Sequence, residues 1–314
     1  MAAPAKVVWD RWELLASPMF TTLAPVIELL PEDHFPTLAE LNRLCSEREL
    51  VSGGGEPLEF VPQEAKTGEP YEKRVFAYGK VLTRNRDWHD LFNALVWITF
   101  PKTKAAINRH HYREMQAREG GEARGAVRDA LTLFDESGVI VASSDAGLTE
   151  LLTGFQWKQL FWQRREDVVR GMRFHLFGHA LYEKALAPYK GVTGKSVIVA
   201  ISAKELERPL PQQLAALDAH LARSFADMRS LGATDDYAPL PILGVPGWAP
   251  ENESERYYED TQQFRPGRTR ARAEPEARAP AQPKQSHGPR RKGKNNYWRS
   301  RAVPAPRKER WGAN

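Results

Sequence analysis

The 314-residue chain has a single cysteine, Cys45. No intramolecular disulfide can form, and zinc sites built on cysteine pairs are excluded. That usage fits a reducing compartment. Long apolar runs are also absent. Nothing approaches the roughly 18 uninterrupted apolar residues of a membrane span, and the opening MAAPAKVVWDRWELL carries no run of secretion-signal length. The expectation is a soluble cytoplasmic protein with no membrane partner.

The last fifty residues are poor in apolar groups. From Arg265 onward Val303 is the one aliphatic residue beyond alanine, against seven prolines. Such a segment cannot bury enough surface to offset an ordering cost of roughly 1–2 kcal/mol per residue. It also holds fifteen Lys and Arg against three acidic residues, a net of +12, which leaves 30 basic and 37 acidic residues, a net of −7, before it. The expected organisation is therefore an acidic globular domain over 1–264 and a disordered basic tail over 265–314.

What is present in the body is aromatic and amphipathic. Nine Trp and 41% hydrophobic residues suffice for a core. TLAELNRLCSEREL repeats apolar residues at helical spacing behind Thr37, a ready N-cap. YEKRVFAYGKVL is rich in β-formers and predicts a short strand. Asp87 is placed to cap a helix through WHDLFNALVWITF that stops or kinks at Pro101. ALTLFDESGVIVAS reads as two apolar runs around a turn, hence a hairpin near 131–143. A helical stretch is expected from about 149 to 187, broken near Gly154 and Arg165; KSVIVAIS is a strand, and PQQLAALDAHLARSFADM a helix with Pro211 in its first turn. The class is α+β, a helix-dominated single domain with a small sheet.

RFHLFGHALYEK carries the first candidate site. On a continuous helix at about 100° per residue, His179 and Glu183 lie about 40° and 80° around from His175, on the apolar face. Buried ionisable groups need partners. Either each histidine is a neutral, hydrogen-bonded core residue, or the stripe lines a pocket and supplies metal ligands or an acid–base pair. Position 176 is Leu, so the general-base Glu of H-E-x-x-H is missing.

A second patch lies in DWHDLFNALVWITF, where His89, Asp90 and Asn93 share one arc of a helix otherwise apolar all round. Asp90 could equally serve the helix dipole. If the two patches meet, the pocket lies between the 87–100 and 166–186 helices, and the imidazoles of His89 and His179 should approach within about 6–7 Å, the span of two ligands on one ion. One divalent metal would then be held by His89, His175 and His179, with Asp90 or Glu183 completing the shell or acting as base. Asp135 and Glu136 could support the site or form ordinary turn chemistry. His110 and His111 read as a solvated helix face. GVTGKS has two residues where a P-loop needs four and precedes its strand, so Gly191 and Gly194 read as turn residues.

In the tail, Arg290, Arg291, Lys292, Lys294, Tyr297, Trp298, Arg299 and Arg301 interleave cations with aromatics, a pattern suited to single-stranded nucleic acid. A solubilising extension is the plainer reading.

Taken in order, RNRDWHDLFNALVWITFPKTKAAINRHH, RDALTLFDESGVIV, WKQLFWQRR and FGHALYEKALAPYKGVTGKSV resemble a bacterial family known as domain of unknown function 3025, over about residues 15–250. The resemblance implies a cytosolic bacterial protein with a single domain in its body, and no activity. The residues themselves lead to a metal-assisted hydrolase acting on a phosphate ester, that class being chosen because the tail could hold an anionic polymer. The alternative is a non-enzymatic nucleic-acid-associated protein that binds through its tail.

Overall fold

The computed structural model describes residues 8–63, 68–119, 125–227 and 231–267. The expected disorder and nucleic-acid contacts of the tail fall outside them. The chain begins with α1 (Arg11–Ala16), the short α2 (Ala24–Ile27) and α3 (Leu38–Glu47). Thr37 caps α3 as its position predicts: its Oγ1 accepts from the Glu40 amide at 3.3 Å, while the Glu40 carboxylate accepts from the Thr37 amide at 2.8 Å.

Strand β1 (Glu59–Pro62) pairs in parallel with β2 (Lys80–Thr83), and α4 (Tyr71–Tyr78) lies between them in sequence. YEKRVFAYGKVL does hold a short strand, at its KVL end, and a helix that was not expected precedes it. Pro70 starts the helix, and Gly79 at φ +66° ends it in the left-handed region that favours glycine. Local β-propensity gave way to these two terminators.

Helices α5 (Trp88–Thr99) and α6 (Pro101–Glu119) follow the expected break, with Asp87 as N-cap of α5 and Pro101 opening α6. The expected hairpin near 131–143 is absent. In its place α7 (Ala126–Ser137) runs directly into β3 (Gly138–Ser143). Ala130, Leu131 and Phe134 are buried on one face of α7, so the helical period was present but the window LTLF was too short to show it.

The stretch read as a broken helix from 149 to 187 is more varied. It holds α8 (Ala146–Thr153), a π-helical turn (Gln159–Gln163), α9 (Arg165–Gly171), strand β4 (Met172–Leu176) and α10 (His179–Ala185). His175 and His179 therefore share no helix. The backbone of 172–176 pairs antiparallel with β3, setting His175 opposite Ile140, a long-range pairing that overrides the local i, i+4 pattern.

β5 (Thr193–Ala200) is parallel to β3, α11 (Ala203–Leu206) and α12 (Leu210–Asp227) follow, and β6 (Ala238–Pro241) pairs antiparallel with β5. The sheet order is β4-β3-β5-β6. Gly191, at φ +87°, is a turn residue as expected; Gly194 is not, since it lies within β5 opposite Leu240. The α+β class stands. Among the described residues no helix is long and apolar enough to cross a membrane.

Two contacts position the site. Residues 91–98 of α5 are all buried, and Phe92 stacks on both Phe20 and Tyr182, which seats α10 against α5. At the start of α10, the Gly178 amide donates to the Gly138 carbonyl at 2.9 Å. Gly178 also lies so close to α7 that a Cβ there would fall 2.4 Å from the Ser137 nitrogen and 2.5 Å from the Glu136 carbonyl carbon. The first turn of α5, the first turn of α10 and the last turn of α7 thereby converge.

Candidate metal centre

Three donors meet at this convergence. His89 Nε2 lies 3.1 Å from His179 Nε2, and His179 Nε2 lies 3.6 Å from Glu136 Oε2. One ligand atom from each of these residues falls within 4.8 Å of the others. Two donors on one ion at about 2.0–2.1 Å, with a tetrahedral angle, would lie roughly 3.3–3.4 Å apart. The observed spacings straddle that value.

Each imidazole has a carboxylate behind it. Glu183 Oε2 lies 3.1 Å from His89 Nδ1, and Asp135 Oδ2 lies 3.8 Å from His179 Nδ1. The hydrogen-bonded carboxylate at His89 Nδ1 favours the proton there and leaves Nε2 with its lone pair; at His179 the Asp135 carboxylate lies beyond hydrogen-bond reach and favours the same tautomer through its charge alone. Applied to both rings, that tautomer aims two lone pairs at one another and at a third, anionic donor. Such a cluster could hold a cation. Burial pushes His179 down to about 4 against the opposing charge of Asp135, so the ring is neutral and able to ligate at pH 7. Two histidines and one carboxylate suit Zn, Fe(II) or Mn(II) and leave coordination positions open.

The surrounding side chains are pinned. Asp90 accepts from the Arg84 amide at 2.6 Å, from Nε at 2.8 Å and from Nη2 at 2.9 Å. Burial works to raise the Asp90 pKa, yet the Arg84 hydrogen bonds and charge hold it below the usual carboxylate range. Asp90 thus secures the turn that carries His89. Asn93 Oδ1 accepts from Lys104 Nζ at 2.9 Å, and its Nδ2 donates to Tyr71 Oη at 3.1 Å. Lys104 Nζ also donates to Asp135 Oδ1 at 2.5 Å. Burial likewise works to raise Asp135, and the Lys104 charge, with the nearby imidazoles, holds it low. Glu136 is pushed up by burial.

His175 is not brought to this cluster. Its Nδ1 lies 3.3 Å from Thr22 Oγ1, its Nε2 has no hydrogen-bond partner among the described residues, and burial pushes it down to about 4. It lines a separate cavity with Phe174 and Trp248. His111, expected on a solvated face, is 4% exposed and lines the same cavity as His89 and His179. Sequence reading also passed over Glu72, whose place in the first turn of α4 resembles dipole duty. The tail residues, Arg290 to Arg301, lie outside the described segments.

His89, Glu136 and His179 open onto a cavity of about 430 Å³, whose wall also carries Glu72, Arg84, Asp90, Asn93, His111 and Asp135. The chain is thus an α+β protein with a two-histidine, one-carboxylate cluster that could hold a metal ion. It belongs to the family described as Protein of unknown function (DUF3025), whose family model matches residues 58–268. That span begins later and ends later than the resemblance over 15–250, and it contains all three donors. No curated protein and no solved structure matches the chain.

Proposed function

We propose that the protein is a metal-dependent hydrolase, with one divalent ion held by His89, His179 and Glu136. The observation that carries this reading is the pair of carboxylates, Glu183 and Asp135, set behind two imidazoles whose Nε2 atoms converge on Glu136. Three protein ligands leave room for water, and a divalent ion lowers the pKa of bound water enough to yield a nucleophile near neutral pH. Glu183, proposed from sequence as base or ligand, here orients His89. Asp90 is spent on Arg84 and is not the base in this reading.

A phosphate ester was the expected substrate because of the charge of the tail. The cavity favours that class less, since its one lining Lys or Arg among the described residues, Arg84, is already matched by Asp87 and Asp90, and the buried Lys104 behind the wall by Asp135. The test of the function is metal analysis of purified protein followed by chelation and reloading. Close to one tightly held ion per chain, lost in His89→Ala and His179→Ala, is the expected result; the absence of stoichiometric metal under every loading condition sinks the reading.

A second reading rests on the +12 tail with Tyr297 and Trp298. Such a segment would neutralise phosphates and stack on bases of single-stranded nucleic acid. It is compatible with the first reading, because it uses residues outside the cavity wall.

A further inference from the structure

Glu72 differs from the other carboxylates around the cavity. Asp90 is held by Arg84, Asp135 by Lys104, and Glu183 by His89, while Glu136 belongs to the donor set. Glu72 meets neutral partners instead. Its Oε2 accepts from Asn108 Nδ2 at 2.8 Å, and its Oε1 lies 3.9 Å from His111 Nε2, too far for a hydrogen bond. Burial pushes His111 down to about 4, so that ring is uncharged at neutral pH. The Glu72 side chain is 26% exposed and lines the cavity. One of its oxygens is fixed by an amide, and the other accepts no hydrogen bond from His111, on a side chain that is partly exposed to the cavity.

We propose that Glu72 is the proton-transfer residue of this cavity and serves hydrolysis of an uncharged acyl substrate, an ester or amide. The proposal rests on the metal-dependent reading above. Glu72 Oε1 takes a proton from the attacking water as the water oxygen bonds to the carbonyl carbon. When the bond from that carbon to the leaving oxygen or nitrogen breaks, the same proton passes to the leaving atom. The second water proton stays with the product acid, and Glu72 ends as it began. The substrate class follows from the wall: among the described residues the one lining Lys or Arg, Arg84, already faces Asp87 and Asp90, which leaves the ion alone to meet a phosphate dianion, whereas a carbonyl needs no second cation.

The electrostatics of the position support this role. Burial pushes Glu72 up to about 7, against the hydrogen bond from Asn108, and a group that titrates near the working pH both accepts and returns a proton. The charged and titratable groups facing it are Lys104 and His111 from α6, Asp135 and Arg128 from α7, and Tyr71 on its own helix.

The test uses full-length protein loaded with Zn²⁺, with p-nitrophenyl acetate and p-nitrophenyl phosphate as probes. The Glu72→Gln variant keeps an acceptor for Asn108. It should bind Zn²⁺ with a Kd within about twofold of wild type, hydrolyse the acetate about 100-fold more slowly, and lose the pH limb near neutrality. Glu72→Asp should recover part of the rate. A carboxyl infrared band titrating near pH 7 should be present in wild type and missing from Glu72→Gln. A wild type that binds no Zn²⁺ overturns the metal reading and this proposal with it. If Zn²⁺ binds, then an unchanged rate and pH profile in Glu72→Gln, or no zinc-dependent acetate hydrolysis in wild type, overturns Glu72 alone. Faster cleavage of the phosphate overturns the acyl class.

Discussion

His89 and His179 lie 90 positions apart in the chain, and their Nε2 atoms lie 3.1 Å apart in space. Without a cation that contact needs a shared proton, which one ring must surrender from its carboxylate side. A divalent ion removes the conflict. Loss of either ring should therefore lower metal affinity by ~100-fold or more, and Glu183→Gln, which weakens the support behind His89 while keeping its shape, by about 10–100-fold. Isothermal titration with Zn²⁺ and Mn²⁺ checks both magnitudes.

His175→Ala should behave in the opposite way. The ring is buried against Thr22 and lies outside the donor cluster, so metal stoichiometry should be unchanged. The cavity left behind should cost on the order of 2–4 kcal/mol in a urea melt. Loss of metal in this variant, with stability intact, would return His175 to the ligand set.

Acid should destabilise the metal-free protein through His111 and His175. Both have folded-state pKa values near 4, below the ordinary value of 6.5, so the unfolded chain binds protons that the folded chain refuses. Their stability contribution is complete above about pH 6.5 and lost as pH falls towards 4, at most on the order of 3 kcal/mol for each ring. Denaturant midpoints measured between pH 7 and 4 should fall, and should fall less in His175→Leu.

Glu72 carries the reverse dependence. Its folded pKa near 7 lies above the ordinary carboxylate value of 4.5, so the folded state binds the extra proton between those limits and stability declines as pH rises through them. Glu72→Gln should leave the metal-free protein about as stable at pH 4.5 and more stable at pH 8, by about 1–3 kcal/mol after allowance for partial exposure. Equal stability at both pH values argues against a perturbed Glu72.

Much of the fold could be read where one element carries its own signal. Thr37 and Asp87 announced α3 and α5 through capping chemistry, and the apolar run of 91–98 announced burial. The 172–176 strand could not be read that way, because what makes it a strand is pairing with β3, some thirty residues earlier. The site divides along the same line. His89 and His179 were accessible as polar residues among apolar neighbours. His175 was misplaced once β4 was taken for helix, and Glu72 and His111 gain meaning only when α4 and α6 wall the cavity.

The tail gives a prediction that needs no fold. If about five of its fifteen cations contact single-stranded phosphates, log K should fall against log salt with a slope near −3.5. Deleting 265–314 should abolish binding, while Tyr297→Ala with Trp298→Ala should weaken it by about 1–3 kcal/mol per stacked base and leave the slope unchanged. A fluorescence anisotropy titration across salt concentrations separates these outcomes, and undiminished binding by 1–264 places the contact on the globular domain.

Gly178 gives the centre a sensitivity located away from its ligands. Alanine there changes no charge and removes no donor, yet its methyl carbon would sit within 2.5 Å of the α7 backbone at Glu136 and Ser137. Backbone cannot step aside as a long side chain can, so α10 would have to retreat, carrying His179 away from Glu136. Coordination tolerates only a few tenths of an ångström of such movement. The spacing of the two donors is thus set by a hydrogen atom in a third residue, and in the proposed metal site selectivity would drift by substitution at a position outside the donor set.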